Sequence, residues 1–335
     1  MGAAVCLHDG ERPRRARAGA VGDHPHWDRD EVHEIFQGWR AVADAYGEPR
    51  AFVAEAWAGT PERLARYVRP DELHTAFNFD YLMAPWRAGH LRRVIDESLT
   101  ALGEVGAPAT CVLSNHDVAR HVSRYARPQP EGQQRSLSQL DRSADLELGT
   151  RRARAAALLT LALPGGAYVY QGEELGLWEV EDLPEDVLQD PTWERSGHTD
   201  RGRDGCRVPL PWSGDCPPFG FSPDATTAAP WLPQPAAWKS LTAEVQDRDP
   251  ASMLNLYRSA LSARRSNPAL GDGTLTWESA PDSDVLSFRR EPGFRWVVNF
   301  SDEPVALPAH SRVLLASGTL DGDRLPSDTA AWLAL

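Results

Sequence analysis

Four short apolar stretches decide the fold: Ala51-Phe52-Val53-Ala54-Glu55-Ala56-Trp57, Ala76-Phe77-Asn78-Phe79, Thr110-Cys111-Val112-Leu113-Ser114-Asn115 and Ala167-Tyr168-Val169-Tyr170. Each has the length and composition of a buried strand. Helical spacing fills the gaps between them. Thr60-Pro61 opens one helix, with Thr as N-cap and Pro at the first helical position. Leu91, Val94, Ile95, Ser98, Leu99 and Leu102 mark a second, and Arg151 to Leu163 a third that stops at Pro164. Ahead of the first strand, Val32, Ile35, Phe36, Trp39, Val42 and Tyr46 recur as on a helix, and Asp28 with Glu31 resembles its capping box. Strand and helix thus alternate four times, the pattern of parallel strands joined by crossover helices. Polar residues gather where strands end, at Glu55 and at Asn115-His116-Asp117. In a (β/α)8 barrel that rim carries the chemistry, although only four of the eight strands are legible here. No glycine-rich phosphate loop follows any strand, which disfavours a nucleotide-binding fold.

Working outward, Leu177 to Trp238 is rich in Pro, Gly and Trp and reads as loops, and Leu254, Tyr257 and Leu261 mark another helix. From Thr274 the period changes to two: Leu275/Trp277, Trp296/Val298/Phe300, Val305/Leu307 and Val313/Leu315 alternate with polar residues between turn signals. That predicts a small antiparallel β domain. At the other end, the Arg/Ala-rich stretch from Glu11 to Ala20 has no period and reads as unpacked. The expected organisation is an unstructured or unrelated segment over 1–22, a partial (β/α)8 domain over 23–269, and an antiparallel domain over 270–335.

Composition narrows the function. A formal net charge of −13 over 335 residues argues against nucleic acid or an anionic membrane as partner, since both are polyanions. Neutral substrates such as sugars are compatible with it. Twelve tryptophans suit sugar stacking, but core packing explains most tryptophans. Cys6, Cys111, Cys206 and Cys216 show no zinc or CxxC spacing, so a reduced, cytoplasmic setting is expected. Met1 to Ala20 holds no apolar signal core, and the longest apolar run, Ala155 to Tyr170, is broken by Pro164, Gly165 and Gly166.

Taken singly, the polar residues leave alternatives open. Glu55 precedes Trp57, and an apolar wall suits a general acid; a surface glutamate at a strand end fits as well. Asp117 is either a second carboxylate at the same rim or the N-cap of a helix, with His116 a donor to a hydroxyl or incidental. His24, His26 and Asp28 lack the further ligands of a metal site, so no metal is assigned. Ser114 has no nucleophile-elbow surroundings.

Four segments, in order, resemble the α-amylase-type glycoside hydrolase family in its α-glucosidase and oligo-1,6-glucosidase branch. They are Val53 to Trp57, Leu113 to Tyr125, Leu163 to Gly176, and Arg203 to Trp212. The first three are similar to the segments ending the fifth, seventh and eighth barrel strands, and the fourth to an arginine-bearing loop. The likeness runs from about Asp23 to the end. It implies the second half of a (β/α)8 TIM barrel followed by a small antiparallel β domain. It also implies Glu55 as general acid/base and Asp117 as a carboxylate that grips sugar hydroxyls and stabilises the transition state. Asn115 and His116 would contact the sugar, and Arg207 and Asp204 would line the pocket. The implied partner is a small oligosaccharide, with no cofactor, because two carboxyl groups suffice for this chemistry.

The family nucleophile, an Asp in a Gly-Phe-Arg-x-Asp segment on the fourth strand, has no counterpart in the sequence; Asp9 lies at a roughly suitable distance in surroundings that do not match. A truncated α-glucosidase of doubtful activity on its own is therefore expected. Its exposed barrel edges predict self-association or the need for a complementary half. The competing expectation is a non-catalytic sugar-binding or scaffolding remnant, though Glu55, His116 and Asp117 together would be unneeded there.

Overall fold

A computed structural model of the chain describes residues 3–6, 27–129, 143–223 and 229–335. The parallel part runs β1 (Ala3–Cys6), α1 (Val32–Asp44), β2 (Phe52–Glu55), α2 (Pro61–Arg66), β3 (Thr75–Ala76), α3 (Phe79–Leu82), α4 (Ala88–Glu104), β4 (Thr110–Val112), α5 (His121–Tyr125), α6 (Leu146–Ala162) and β5 (Gly166–Tyr168). Strands β1, β2 and β3 pair in parallel in that order, and β4 pairs in parallel with β5. The two groups meet where the Asn78 N–H donates to the Thr110 carbonyl at 3.1 Å and the Thr75 and Thr110 hydroxyls bond to each other. Within each group the strands point the same way, so the loops that follow β1, β2 and β3 share one rim, as do those that follow β4 and β5.

Most of this follows from local chemistry. The Thr60 hydroxyl accepts from the Arg63 N–H at 3.3 Å and Pro61 starts α2, as the Thr-Pro pair predicts. Asp145 caps α6 in the same way, a turn earlier than the apolar pattern suggests. The expected capping box on α1 does not form. Asp28, at a φ of 45°, gives its carboxylate to Arg63 (2.8 Å) and Tyr67 (3.0 Å), and α1 starts at Val32 with no side-chain cap. The second predicted strand is shorter than expected, because Asn78 leaves it to cap α3. The opening read as unpacked contributes β1, while the Arg/Ala-rich run, Asp9, His24 and His26 lie outside the described residues.

After the loops come α7 (Pro191–Arg195), α8 (Ala243–Asp247) and α9 (Met253–Ser266), then seven strands: β6 (Thr276–Trp277), β7 (Val285–Arg290), β8 (Phe294–Asn299), β9 (Val305–Ala306), β10 (Arg312–Ala316), β11 (Arg324–Leu325) and β12 (Thr329–Ala334). Five form an antiparallel sheet in the order β10-β12-β8-β7-β6. Helix α6 lies between this sheet and the parallel strands, buried along most of its length, and Trp332 of β12 donates its Nε1 to the Leu158 carbonyl at 3.0 Å. Asp328 adds a polar clamp, accepting from Trp86 Nε1 at 2.6 Å and Arg152 Nε at 3.0 Å. No helix among the described residues is long and apolar enough to cross a membrane.

Candidate active site

Glu55 is the last residue of β2 and half-buried. Two residues on, the Trp57 indole stacks on Phe79 at 4.3 Å between centroids, and Phe79 and Phe77 lie 6.1 Å apart. Phe77 in turn meets Tyr168 of β5 edge-on at 4.7 Å. A row of aromatic rings thus crosses from the end of β2, past β3, to β5.

Asp117 sits in the loop after β4, 8% exposed. It does not cap a helix: α5 begins four residues later, behind Arg120. Its N–H donates to the Asn115 Oδ1 at 2.9 Å, a tight turn that fixes the carboxylate's direction. Oδ1 accepts from Arg203 Nη1 at 2.6 Å and Arg207 Nη2 at 3.2 Å, and the His116 Nε2 is 3.7 Å away. Arg207 also donates its Nε to the His116 carbonyl at 2.9 Å. Burial alone would raise the Asp117 pKa, but His116, Arg203 and Arg207 outweigh it and hold the carboxyl below its usual range. The arrangement keeps an anion fixed at the rim, with donors able to turn to a bound hydroxyl.

Asn115, His116, Asp117 and Arg207 are therefore brought together, and Glu55 ends β2, in the other group of parallel strands. Asp204 departs from its expected place lining the pocket. It is 3% exposed, and its Oδ2 accepts from the N–H groups of Gln189 (2.6 Å) and Asp190 (2.9 Å), fastening two loops. Arg203, one residue before it, was not singled out in the sequence, yet donates to Asp117 at 2.6 Å and is anchored by Asp190 on its other side. Burial favours the neutral Asp190, but hydrogen bonds from Arg203 and Thr192 win and hold its carboxyl well down.

Arg120, 1% exposed, supports this cluster from behind. It donates to the carbonyls of Gln171 and Cys206, each at 2.9 Å, while its own N–H donates to Glu179 Oε2 at 2.9 Å. Gly205 is required here, because a Cβ would collide with the Glu179 carboxylate and the Val180 carbonyl. Ser114 and His121 are hydrogen-bonded at 2.8 Å but buried, so the pair orders the loop and offers no accessible nucleophile. Among the described residues no group of three or more His, Cys, Asp or Glu could hold a metal ion.

A family model described as the alpha amylase catalytic domain matches residues 8–273, which includes part of the opening segment read as unrelated. A probable alpha-glucosidase of Rhizobium meliloti (strain 1021) is 33% identical over 290 residues, covering 82% of this chain and 46% of its own length. The oligo-1,6-glucosidase of Parageobacillus thermoglucosidasius is 25% identical over 340 residues, covering 91% and 56%. The crystal structure of an alpha-glucosyl transfer enzyme superposes with a TM-score of 0.71 at 29% identity, over 91% of this chain and 55% of the other. The chain thus spans about half the length of the curated relatives it matches.

Proposed function

The chain belongs to the alpha-amylase family of glycosidases, and from that premise we propose that it carries the acid/base side of a retaining α-glucosidase site for short oligosaccharides. The observation that carries this is Asp117, held ionised by Arg203 and Arg207 in the loop after β4, with Glu55 at the end of β2. In this scheme Glu55 protonates the glycosidic oxygen as the anomeric carbon passes from that oxygen to a nucleophile supplied from outside this chain, then takes a proton from the water that displaces that nucleophile and frees the sugar. Asp117 and His116 bind ring hydroxyls, and Arg207 holds the loop that presents them. All lie within 23–269, taken as the catalytic part, with 270–335 as an accessory β domain.

A retaining site needs a second carboxylate beneath the anomeric carbon, and we assign that role to no residue of this chain. An external anion can stand in for it. The test is release of glucose from maltose with azide or formate added, because a sugar leaving group needs the proton that Glu55 would give. We expect slow, anion-dependent release that falls by about 10²–10⁴-fold in Glu55→Gln, the usual weight of a general acid. Equal release by Glu55→Gln, or no preference for the α over the β anomer, would refute the assignment. Saturable oligosaccharide binding without any anion-dependent turnover would favour a sugar-binding remnant instead.

A further inference from the structure

An open hollow of about 790 Å³ lies where the start of α4, the start of α6 and the antiparallel domain meet. None of Glu55, Asn115, His116, Asp117, Arg203 and Arg207 lines it. The first turn of α4 gives Ala88, Gly89 and His90 to its wall. N–H groups at these positions have no acceptor within their own helix. No side chain caps α4, no acidic residue stands in its first turn, and no acceptor for the three N–H groups is found among the described residues. His90 adds a further donor. It is 7% exposed, and its Nδ1 lies 3.1 Å from Arg93 Nη2. A guanidinium only donates, so Nδ1 accepts and the proton of the neutral ring sits on Nε2. Burial and the Arg93 charge hold the ring's pKa down and keep it neutral. That Nε2 is buried with no partner among the described residues. A buried donor left unpaired costs free energy that an acceptor from outside the chain would recover.

Charge points the same way. Arg87, Arg127 and Arg152 line the hollow, against two carboxylates, Asp145 and Asp284. Arg127 is paired with Glu181 and Arg152 with Asp328. Arg87 donates to the Gln129 carbonyl at 3.3 and 3.0 Å and meets no carboxylate among the described residues. Free N–H groups at a helix start, beside an uncompensated guanidinium, are the chemistry that recognises a phosphate. Phosphate alone would leave most of this volume to solvent, and the hollow has the size of a small-molecule site. Asp145 and Asp284 are acceptors suited to hydroxyl groups on the rest of such a ligand. We propose that the hollow binds a small phosphate monoester that carries hydroxyl groups, its phosphate on the α4 N-terminus and Arg87 and its hydroxyls toward Asp145 and Asp284. The site stands apart from the chemistry proposed for Glu55 and Asp117, and failure of either reading leaves the other intact.

Isothermal titration calorimetry of the full chain at one ionic strength compares glucose 6-phosphate with inorganic phosphate. The ester is expected to bind one-to-one and about tenfold tighter than inorganic phosphate, through the added hydroxyl contacts. A Cβ at Gly89 would meet nothing within 4 Å, so Gly89→Asp sets a carboxylate at the helix start without a clash. A negative charge there favours the helix, so the melting temperature should hold or rise while the ester binds about tenfold weaker or worse. Arg87→Gln should weaken the ester by about tenfold, the weight of one charge-assisted hydrogen bond. Glu104→Gln, at the far end of α4, should leave binding unchanged. No binding of the ester, or binding indifferent to both Gly89→Asp and Arg87→Gln, would overturn the site. Inorganic phosphate binding as tightly as the ester would overturn the hydroxyl-bearing ligand in favour of a simple anion.

Discussion

Asp117 is held by charge. Burial works against its ionisation, and His116, Arg203 and Arg207 reverse the balance, with Arg203 donating at 2.6 Å. Arg203→Gln should therefore move the Asp117 pKa up toward the ordinary carboxylate range, read by carbon-13 NMR of the carboxyl group. An unchanged titration would mean that Arg207 and His116 suffice. Because the folded pKa is depressed, the stability this cluster gives is present at neutral pH and is lost as pH falls through the folded value. The sequence made Asp117 legible because it follows a buried strand, a position with chemical meaning in parallel folds. Arg203 opens the segment likened to an arginine-bearing loop, but it lies 86 residues away and nothing local marks it, beside Arg207, as a partner of Asp117. Asp204 was placed at the pocket by resemblance alone, whereas its carboxylate meets two backbone N–H groups, those of Gln189 and Asp190.

Among elements, legibility followed burial on one side. Helices α2 and α4 show their caps or periodicity plainly, and both were read. Strand β12 was missed because Thr329 to Leu333 are all buried, Ala330 and Trp332 against α6 on one face and Ala331 and Leu333 against Leu307 and Leu325 on the other, so no exposed polar residue alternates with the apolar ones. The α1 capping box failed because a tertiary partner, Arg63, takes Asp28 away from the helix start. The join between the parallel strands and the antiparallel sheet concentrates on Asp328, 4% exposed, at a φ of 52° that Asn tolerates well. Asp328→Asn keeps the backbone and removes the charge facing Arg152. It should cost about 1–3 kcal/mol in urea unfolding. A loss below a few tenths would mean the packing of Trp332 and α6 alone holds the join.

At the scale of the molecule, two buried carboxyls set a pH dependence. Burial pushes Glu173 up to about 7 and Glu179 up to about 8, from an ordinary 4.5. A carboxyl whose folded pKa is raised contributes its stability in full below the unfolded value and loses it as pH rises through the folded one. The urea midpoint should fall between about pH 5 and pH 8. Glu179→Gln, which keeps an acceptor for the Arg120 N–H, should flatten that slope. A midpoint constant over the range would contradict the burial of both groups. The central claim concerns the site that Glu55 and Asp117 are proposed to share, and a crystal structure with maltose bound tests it most directly. The prediction is Asp117 bonded to hydroxyls of one glucose ring, with Glu55 within hydrogen-bond reach of the adjoining glycosidic oxygen. Maltose bound elsewhere, or the two carboxylates too far apart to touch one disaccharide, would contradict it.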